Sequence, residues 1–209
     1  MSLKDKVYNA ILDDIISLEY HPGDILNERS LIDRYQCSKS PVREALMTLC
    51  SENVLRNIPR YGYEVIRLTE DDISEMIQFR LILESGMLSM YYNSFTAEQI
   101  GELEEIDEKC QSDSSDVWTH WAHNVEFHLK LIESCGSKFA MEELERCMNR
   151  LKRAYAQFYK NKNDIKLLST DTKHHSEIIA GLKNKNSTQI LKNLTADLND
   201  FGGLENYIV

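Results

Sequence analysis

The feature that most constrains this 209-residue chain is a pair of short predicted helices separated by a tight break. Asn27 suits the N-cap of a helix over 28–35, because its side chain can accept a hydrogen bond from an unpaired backbone amide. After the break, Ser40 suits the N-cap of a helix that has Pro41 at its first position and runs to about residue 52. Two short helices joined this closely have the spacing of a helix-turn-helix, whose second helix enters the major groove of DNA.

The flanking segments extend this unit on both sides. Residues 4–19 carry apolar side chains at steps of three and four, which predicts a helix that His21-Pro22-Gly23 terminates. Beyond the helix pair, 54–58 and 63–68 are β-prone segments on either side of a turn that contains glycine. The sequence therefore predicts a two-stranded wing, and a winged helix-turn-helix domain over residues 1–69.

The pattern changes at Thr69, where Thr69-Glu70-Asp71-Asp72 resembles a capping box and opens a helix to about residue 92. A second capping signal at Thr96 starts another helix. These segments predict a mainly α protein whose second domain, residues 70–209, is an antiparallel all-helical bundle. The remaining predicted helices cover 115–134, 138–161, 164–183 and 187–201.

Charge and composition limit the class of protein. The net charge of −10 is uneven, since residues 1–69 carry nine basic and ten acidic side chains and the rest carry fifteen and twenty-four. Residues 38–67 carry five basic against three acidic side chains, which leaves room for a small DNA-binding face. Five cysteines without CxxC spacing indicate a reducing compartment, and no apolar run approaches the roughly 20 residues of a membrane span. We expect a cytoplasmic protein without a membrane partner.

Three blocks of the N-terminal half resemble the GntR family of transcription regulators: His21–Glu28, Ser38–Leu46 and Arg60–Tyr63. The resemblance implies a protein that binds double-stranded operator DNA. It places Gly62 at the tip of the wing, beside the minor groove. The residues that it places at the DNA surface are Arg29, Ser38, Lys39, Ser40 and Arg43.

The chemistry of these side chains agrees with that role. Arg43 can make a bidentate pair with O6 and N7 of guanine, and the hydroxyls of Ser38 and Ser40 suit phosphate oxygens. Lys39 stands where the family commonly has arginine; it keeps the charge but lacks the planar fork, so we assign it to phosphate or to a single base acceptor. The alternative is that these are solvated residues at helix ends.

The C-terminal half resembles the FCD subfamily of these regulators. The family's Asp-x-x-x-His appears as Asn124 to His128, a family histidine matches His175 next to His174, and the last family histidine falls on Asp197. The resemblance thus implies a site of Asn124, His128, His175 and Asp197 for a divalent transition metal such as zinc, nickel, manganese or iron. The alternative is a site without metal, whose polar groups bond to a ligand or to each other.

Arg80 and Glu84 match the family's arginine and glutamate on the first helix of the bundle. The resemblance implies that Arg80 reaches a small organic acid as effector, since a guanidinium suits a carboxylate. The alternative is an ordinary intrahelical ion pair, because the two residues are spaced i and i+4. Further pocket candidates are Arg150, Arg153, Tyr155 and Tyr159.

Taken together, these features predict a homodimeric regulator, a repressor, whose operator affinity is controlled by the effector. A protein-interaction module built on the winged domain is one alternative. A metal-dependent hydrolase is another, but Glu126, the nearest acid, points about 200° away from the Asn124 face of its helix, so we expect no enzyme. The operator, the effector and the metal's identity do not follow from the sequence.

Overall fold

The computed structural model describes residues 1–112, 117–159 and 174–199. These residues form two compact units: Met1–Thr69 together with 152–159, and Glu70–Leu151 together with 174–199. The expected domain boundary after residue 69 stays a prediction, to which the structure adds that 152–159 group with the first unit. Across the described ranges, no helix combines the length and apolarity that crossing a membrane requires.

The first unit is a winged helix-turn-helix, as predicted. Its sheet has three strands in the order β1-β3-β2, with both neighbouring pairs antiparallel. The two predicted strands are present, and the additional strand is only two residues long. The elements are α1 (Leu3–Ile16), β1 (Ile25–Leu26), α2 (Glu28–Tyr35), α3 (Lys39–Ser51), β2 (Leu55–Ile58) and β3 (Gly62–Val65).

The turn between α2 and α3 is set by local backbone geometry. Asn27 caps α2 by accepting from the amide of Arg29, and Gln36 ends the helix in the left-handed conformation, with φ of 50°. The next helix begins at Lys39 with Ser38 at its N-cap, so the predicted cap at Ser40 is wrong. Ser40 lies inside the first turn, where its hydroxyl donates to Glu44 instead.

A single core holds this unit together. The predicted stripe of α1 is buried and α1 packs against α3, whose own buried stripe includes Leu46 and Leu49. Leu26 of β1 and Val65 of β3 complete the same core from the sheet. Packing on one side of α3 leaves its opposite face, including Arg43, in solvent.

The second unit is all-helical, as predicted. Its first helix, α4, packs against α6 and α9, while α5 packs against α6 and α8, and α8 against α9. The predicted helix over 164–183 is seen only as its last part, because 164–173 lie outside the described residues, as does the tail 201–209. The elements are α4 (Glu70–Tyr91), a 3-10 turn (Tyr92–Ser94), α5 (Ala97–Ser112), α6 (Val117–Ser134), α7 (Lys138–Tyr159), α8 (His175–Lys183) and α9 (Ser187–Asn199).

Candidate nucleic-acid interface and buried polar cluster

The residues expected at the DNA surface all lie at the N-terminal ends of α2 and α3. Each of the five side chains is exposed. Two of them, Arg29 and Lys39, line an open cleft of about 530 Å³ together with residues of the wing. Backbone amides at a helix N-terminus favour anions, so this surface suits phosphate groups. The five residues are Arg29, Ser38, Lys39, Ser40 and Arg43.

Gly62 lies beside the tip of the wing, at the first residue of β3. The tip itself is closed by a hydrogen bond from the amide of Tyr61 to the carbonyl oxygen of Ile58, with Arg60 at a φ of 73°. Gly62 has a φ of 137°, and a Cβ there would clash with the carbonyl oxygen of Leu26. Its lack of a side chain therefore lets β1 join the sheet.

An acidic residue that sequence reasoning did not assign stands in the middle of this surface. The Glu28 carboxylate accepts a hydrogen bond from the Tyr63 hydroxyl at 3.0 Å, through Oε1. The same oxygen lies 3.8 Å from Nε of Arg43, and Oε2 lies 4.0 Å from Nζ of Lys39. The sequence block that resembles the GntR family ends on Glu28, but its contacts depend on a strand 35 residues away.

The second unit buries a cluster of polar side chains where α6, α8 and α9 meet. Nε2 of His128 lies 3.0 Å from Oδ2 of Asp197, and Nε2 of His175 lies 3.5 Å from Oδ1 of the same carboxylate. All three residues are at most 4% exposed. The structure thus brings together three of the four residues that the family resemblance singled out for a metal.

Each imidazole also has a carboxylate behind it. Nδ1 of His128 is 2.7 Å from Oε2 of Glu84, on α4, and Nδ1 of His175 is 3.5 Å from Oδ1 of Asp107, on α5. A carboxylate on the far nitrogen fixes which tautomer the ring adopts and how the ring is oriented. Glu84 therefore holds the His128 ring with Nε2 toward Asp197, whereas Nδ1 of His175 and Oδ1 of Asp107 are close but form no hydrogen bond among the described residues.

The charges in this cluster are strongly coupled. Burial acts to raise the pKa of Glu84 and of Asp197, but cationic neighbours outweigh it and hold both pKa values below the usual range: mainly Arg80 for Glu84, and mainly His175 for Asp197. Burial acts to lower the pKa of His128, but the Glu84 carboxylate outweighs it and the pKa is raised. The ionised form of each carboxylate is favoured.

The donor atoms fit a metal ion. His128, His175 and Asp197 each offer a ligand atom, and these atoms lie within 4.8 Å of one another. Nε2 of both histidines and Oδ1 of Asp197 are buried, and among the described residues they have no hydrogen-bond partner. Two imidazole nitrogens and a carboxylate oxygen match the donors that divalent transition metals take in proteins.

The other two expected residues lie near the cluster. Asn124 is buried one helical turn before His128 on α6, so its side chain lies on the same face of that helix. The Nε of Arg80 donates to Glu84 at 2.8 Å, and both side chains are buried. Nη2 of Arg80 is also buried and has no hydrogen-bond partner among the described residues.

The two neighbouring histidines differ in position, and the cluster includes one further residue. His175 is fully buried in the cluster, whereas His174 is half-buried at the start of α8. Asp107 was not predicted, although its spacing from Leu103 and Cys110 puts an acid on the buried face of α5. An acid at a core position is the signal that could have identified it.

The weaker pocket candidates lie elsewhere. Arg150 pairs with Asp72 at 2.7 Å. Arg153 donates to the carbonyl oxygen of Asn53 inside the first unit, and Tyr155 belongs to the same unit. The side chain of Tyr159 lies outside the described residues.

Comparison with known proteins follows the same division of the chain. Residues 3–65 match the family model "Bacterial regulatory proteins, gntR family", and residues 75–200 match the FCD domain. The gluconate operon transcriptional repressor of Bacillus licheniformis is 28% identical over 90% of this chain and 79% of its own length. The regulator McbR of Escherichia coli is 25% identical over 88% of this chain and 84% of its own length.

The solved structures show the same fold. The structure of E. coli McbR/YncC superposes with a TM-score of 0.77 at 22% identity, covering 95% of this chain and 94% of the other. The relatives are transcriptional regulators rather than enzymes, and both matched domains are domains of such regulators. The hydrolase alternative is therefore wrong. The chain belongs to the GntR family of bacterial regulatory proteins and is a transcriptional regulator with an FCD effector-binding domain.

Proposed function

We propose that this regulator is a cytoplasmic, homodimeric repressor whose affinity for double-stranded operator DNA changes when a small organic acid binds in its helical unit, beside a divalent metal ion. The observation that carries the proposal is the convergence of both Nε2 atoms, from His128 and His175, on the carboxylate of Asp197. Ion pairs alone would satisfy buried charges, but both Nε2 atoms and Oδ1 of Asp197 have no hydrogen-bond partner among the residues that the structure describes, and buried polar atoms normally have one.

The formal charges of the cluster support a dication. Imidazoles that bind a metal are neutral, so in the loaded site Arg80 sets one positive charge against three negative charges from Glu84, Asp107 and Asp197, which leaves −2 before the ion is counted. Zinc, nickel, manganese and iron would each neutralise this charge and accept these ligands. In the proposed site His128, His175 and Asp197 are ligands and the Asn124 amide oxygen is a fourth donor. A bound ion would supply a Lewis-acidic anchor for a carboxylate.

Arg80 supports an acidic effector. Its Nε donates to Glu84, so the guanidinium is fixed, while Nη2 finds no hydrogen-bond partner within the described part of the chain. A buried donor of this kind suits a carboxylate, because charge-assisted hydrogen bonds are stronger than neutral ones. Sugar acids are the first class to test, since one relative is a repressor of a gluconate operon.

The exposed face of α3 supports base recognition. We assign Arg43 to guanine, Lys39 to a phosphate or a single base acceptor, and Ser38 and Ser40 to phosphates, with Arg29 as a further phosphate contact. Gly62 brings the wing tip beside the minor groove. In a two-fold dimer, α3 of each subunit would read one half of a pseudo-palindrome.

One face of α4 supports the dimer. Three large apolar side chains are exposed along it, spaced by three and then by eight residues. Gly86 lies between the second and the third, and its lack of a side chain would allow another helix to approach closely. A surface of this kind is characteristic of protein contacts. The large residues are Phe79, Ile82 and Met90.

The test is binding of the purified protein to DNA from upstream of its own gene, measured at several salt concentrations. We expect specific binding that weakens steeply with salt. Arg43→Ala should weaken it by about 1–3 kcal/mol, or roughly 5- to 150-fold. Arg34→Ala is the matched control, because Arg34 lies near the other end of α2 and pairs with Asp14 at 2.8 Å.

The proposal is contradicted if the wild-type protein binds this DNA no more tightly than an unrelated duplex, both with and without zinc and sugar acids. Equal losses in Arg43→Ala and Arg34→Ala would also contradict it, because they would show that charge alone accounts for binding.

A further inference from the structure

Glu28 places a negative charge where the protein is expected to meet a polyanion. Its side chain is 27% exposed, at the first position of α2, and lies within 4.0 Å of the cationic groups of both Lys39 and Arg43. A carboxylate there repels nearby phosphates, so it opposes DNA binding by charge alone. The presence of Glu28 on this surface therefore needs a reason other than affinity for DNA.

The contacts of Glu28 fix its position. The hydroxyl of Tyr63, a residue only 7% exposed, donates to Oε1 at 3.0 Å, which anchors the carboxylate to the sheet. That anchored oxygen faces the Nε edge of Arg43 at 3.8 Å. The two terminal nitrogens of the guanidinium are thereby left for an acceptor pair such as O6 and N7 of guanine.

We infer that Glu28 is a specificity-determining residue that positions Arg43 for base recognition and penalises binding to phosphate alone. The inference rests on the proposed DNA-binding function. Without the carboxylate, Arg43 and Lys39 are free to pair with any phosphate, which strengthens binding to all sequences. With it, the two cations are partly neutralised until a base acceptor of the right geometry is present.

Glu28 also has a structural role, because an acidic side chain at the N-terminus of a helix stabilises that helix. This role does not distinguish one DNA sequence from another. A purely structural Glu28 would change affinity for all duplexes in step with the fraction of folded protein. A specificity-determining Glu28 would change the ratio of specific to nonspecific affinity. This ratio therefore separates the two roles.

The experiment compares wild type, Glu28→Gln and Tyr63→Phe on the upstream DNA and on an unrelated duplex of equal length, over a salt series. Glu28→Gln keeps an oxygen for Tyr63 to donate to and removes the charge. We expect its affinity for unrelated DNA to rise at least roughly fivefold, and its salt slope to steepen by roughly one unit. The specificity ratio should fall by about tenfold.

Tyr63→Phe is the matched variant that keeps the charge and removes the anchor. We expect its affinity for unrelated DNA to stay at the wild-type value while its affinity for the upstream DNA falls. The inference is overturned if Glu28→Gln leaves the unrelated-DNA affinity and salt slope unchanged, or if both variants lose affinity for both duplexes in proportion to a lower melting temperature. The unrelated duplex needs no operator, so this result is independent of a failure of the proposed function.

Discussion

The carboxylate of Asp197 lies 3.0 Å from Nε2 of His128, and both side chains are shut off from solvent. Burial raises the pKa of a carboxyl group, yet the pKa of Asp197 is lowered, because the imidazoles of His175 and His128 outweigh the burial. An ionised carboxylate inside a protein needs partners of positive charge. Either protonated imidazoles or a metal ion can supply the positive charge, and the two assignments predict different affinities for zinc.

Replacement of Arg80 tests the effector site. Arg80→Lys keeps the positive charge beside Glu84 and removes the planar fork. Arg80→Ala would instead leave the buried Glu84 carboxylate with His128 as its remaining partner in the cluster, so it is expected to destabilise the fold. We expect Arg80→Lys to bind zinc as wild type does and to bind a carboxylate at least roughly tenfold more weakly. Calorimetric titration of gluconate and related sugar acids into zinc-loaded protein measures this. Unchanged carboxylate affinity would remove Arg80 from the site.

Gly62 has a structural role that can be tested apart from DNA. Gly62→Ala places a Cβ against the carbonyl oxygen of Leu26 at a φ of 137°, and we expect it to destabilise the first unit by roughly 1–3 kcal/mol. Gly101→Ala is the control, because a Cβ there meets nothing within 4 Å and α5 should gain about 0.5–1 kcal/mol. Urea denaturation compares them. Equal midpoints for both variants would show that β1 does not depend on Gly62.

The α4 face can be tested by introducing a charge. Ile82 is 75% exposed, and Ile82→Glu would place a carboxylate in the proposed apolar contact, which should weaken a dimer by roughly 2–5 kcal/mol. Phe139→Glu is the matched control, since Phe139 is 74% exposed in the same unit but on α7. Sedimentation velocity gives the association state. Retention of the dimer in Ile82→Glu, or its loss in Phe139→Glu, would place the interface elsewhere.

Local signals in the sequence were sufficient to predict where most of the described helices lie. The bounds of α2 were predicted as 28–35 because Asn27 is a favourable N-cap residue. Its side chain accepts a hydrogen bond from the amide of Arg29, in the first turn of the helix. The cap of α3 was misplaced by two residues because Ser38 and Ser40 both suit that position, and only the observed backbone decides between them. Strand β1 was missed because two residues carry no periodicity and the strand pairs with Glu64 and Tyr63, far along the chain.

The buried cluster was only partly visible from the sequence. The family motif indicated His128, His175 and Asp197, and the structure places them in contact. Composition and spacing could not show that Glu84 and Asp107 lie behind the two imidazoles, because these contacts join α4 to α6 and α5 to α8. Tertiary packing creates those pairs, so a motif confined to one helix does not predict them.

The most direct test of the proposed site is zinc titration of the metal-free protein by calorimetry, with His175→Ala and His174→Ala as a matched pair. We predict one high-affinity zinc per chain in wild type and His174→Ala. His175→Ala should lose more than about 100-fold in affinity, since even residues behind the ligands typically account for 10- to 100-fold. Absence of zinc, nickel, manganese and iron binding in wild type, or equal binding in both variants, would contradict the account and leave protonated imidazoles as the partners of Asp197.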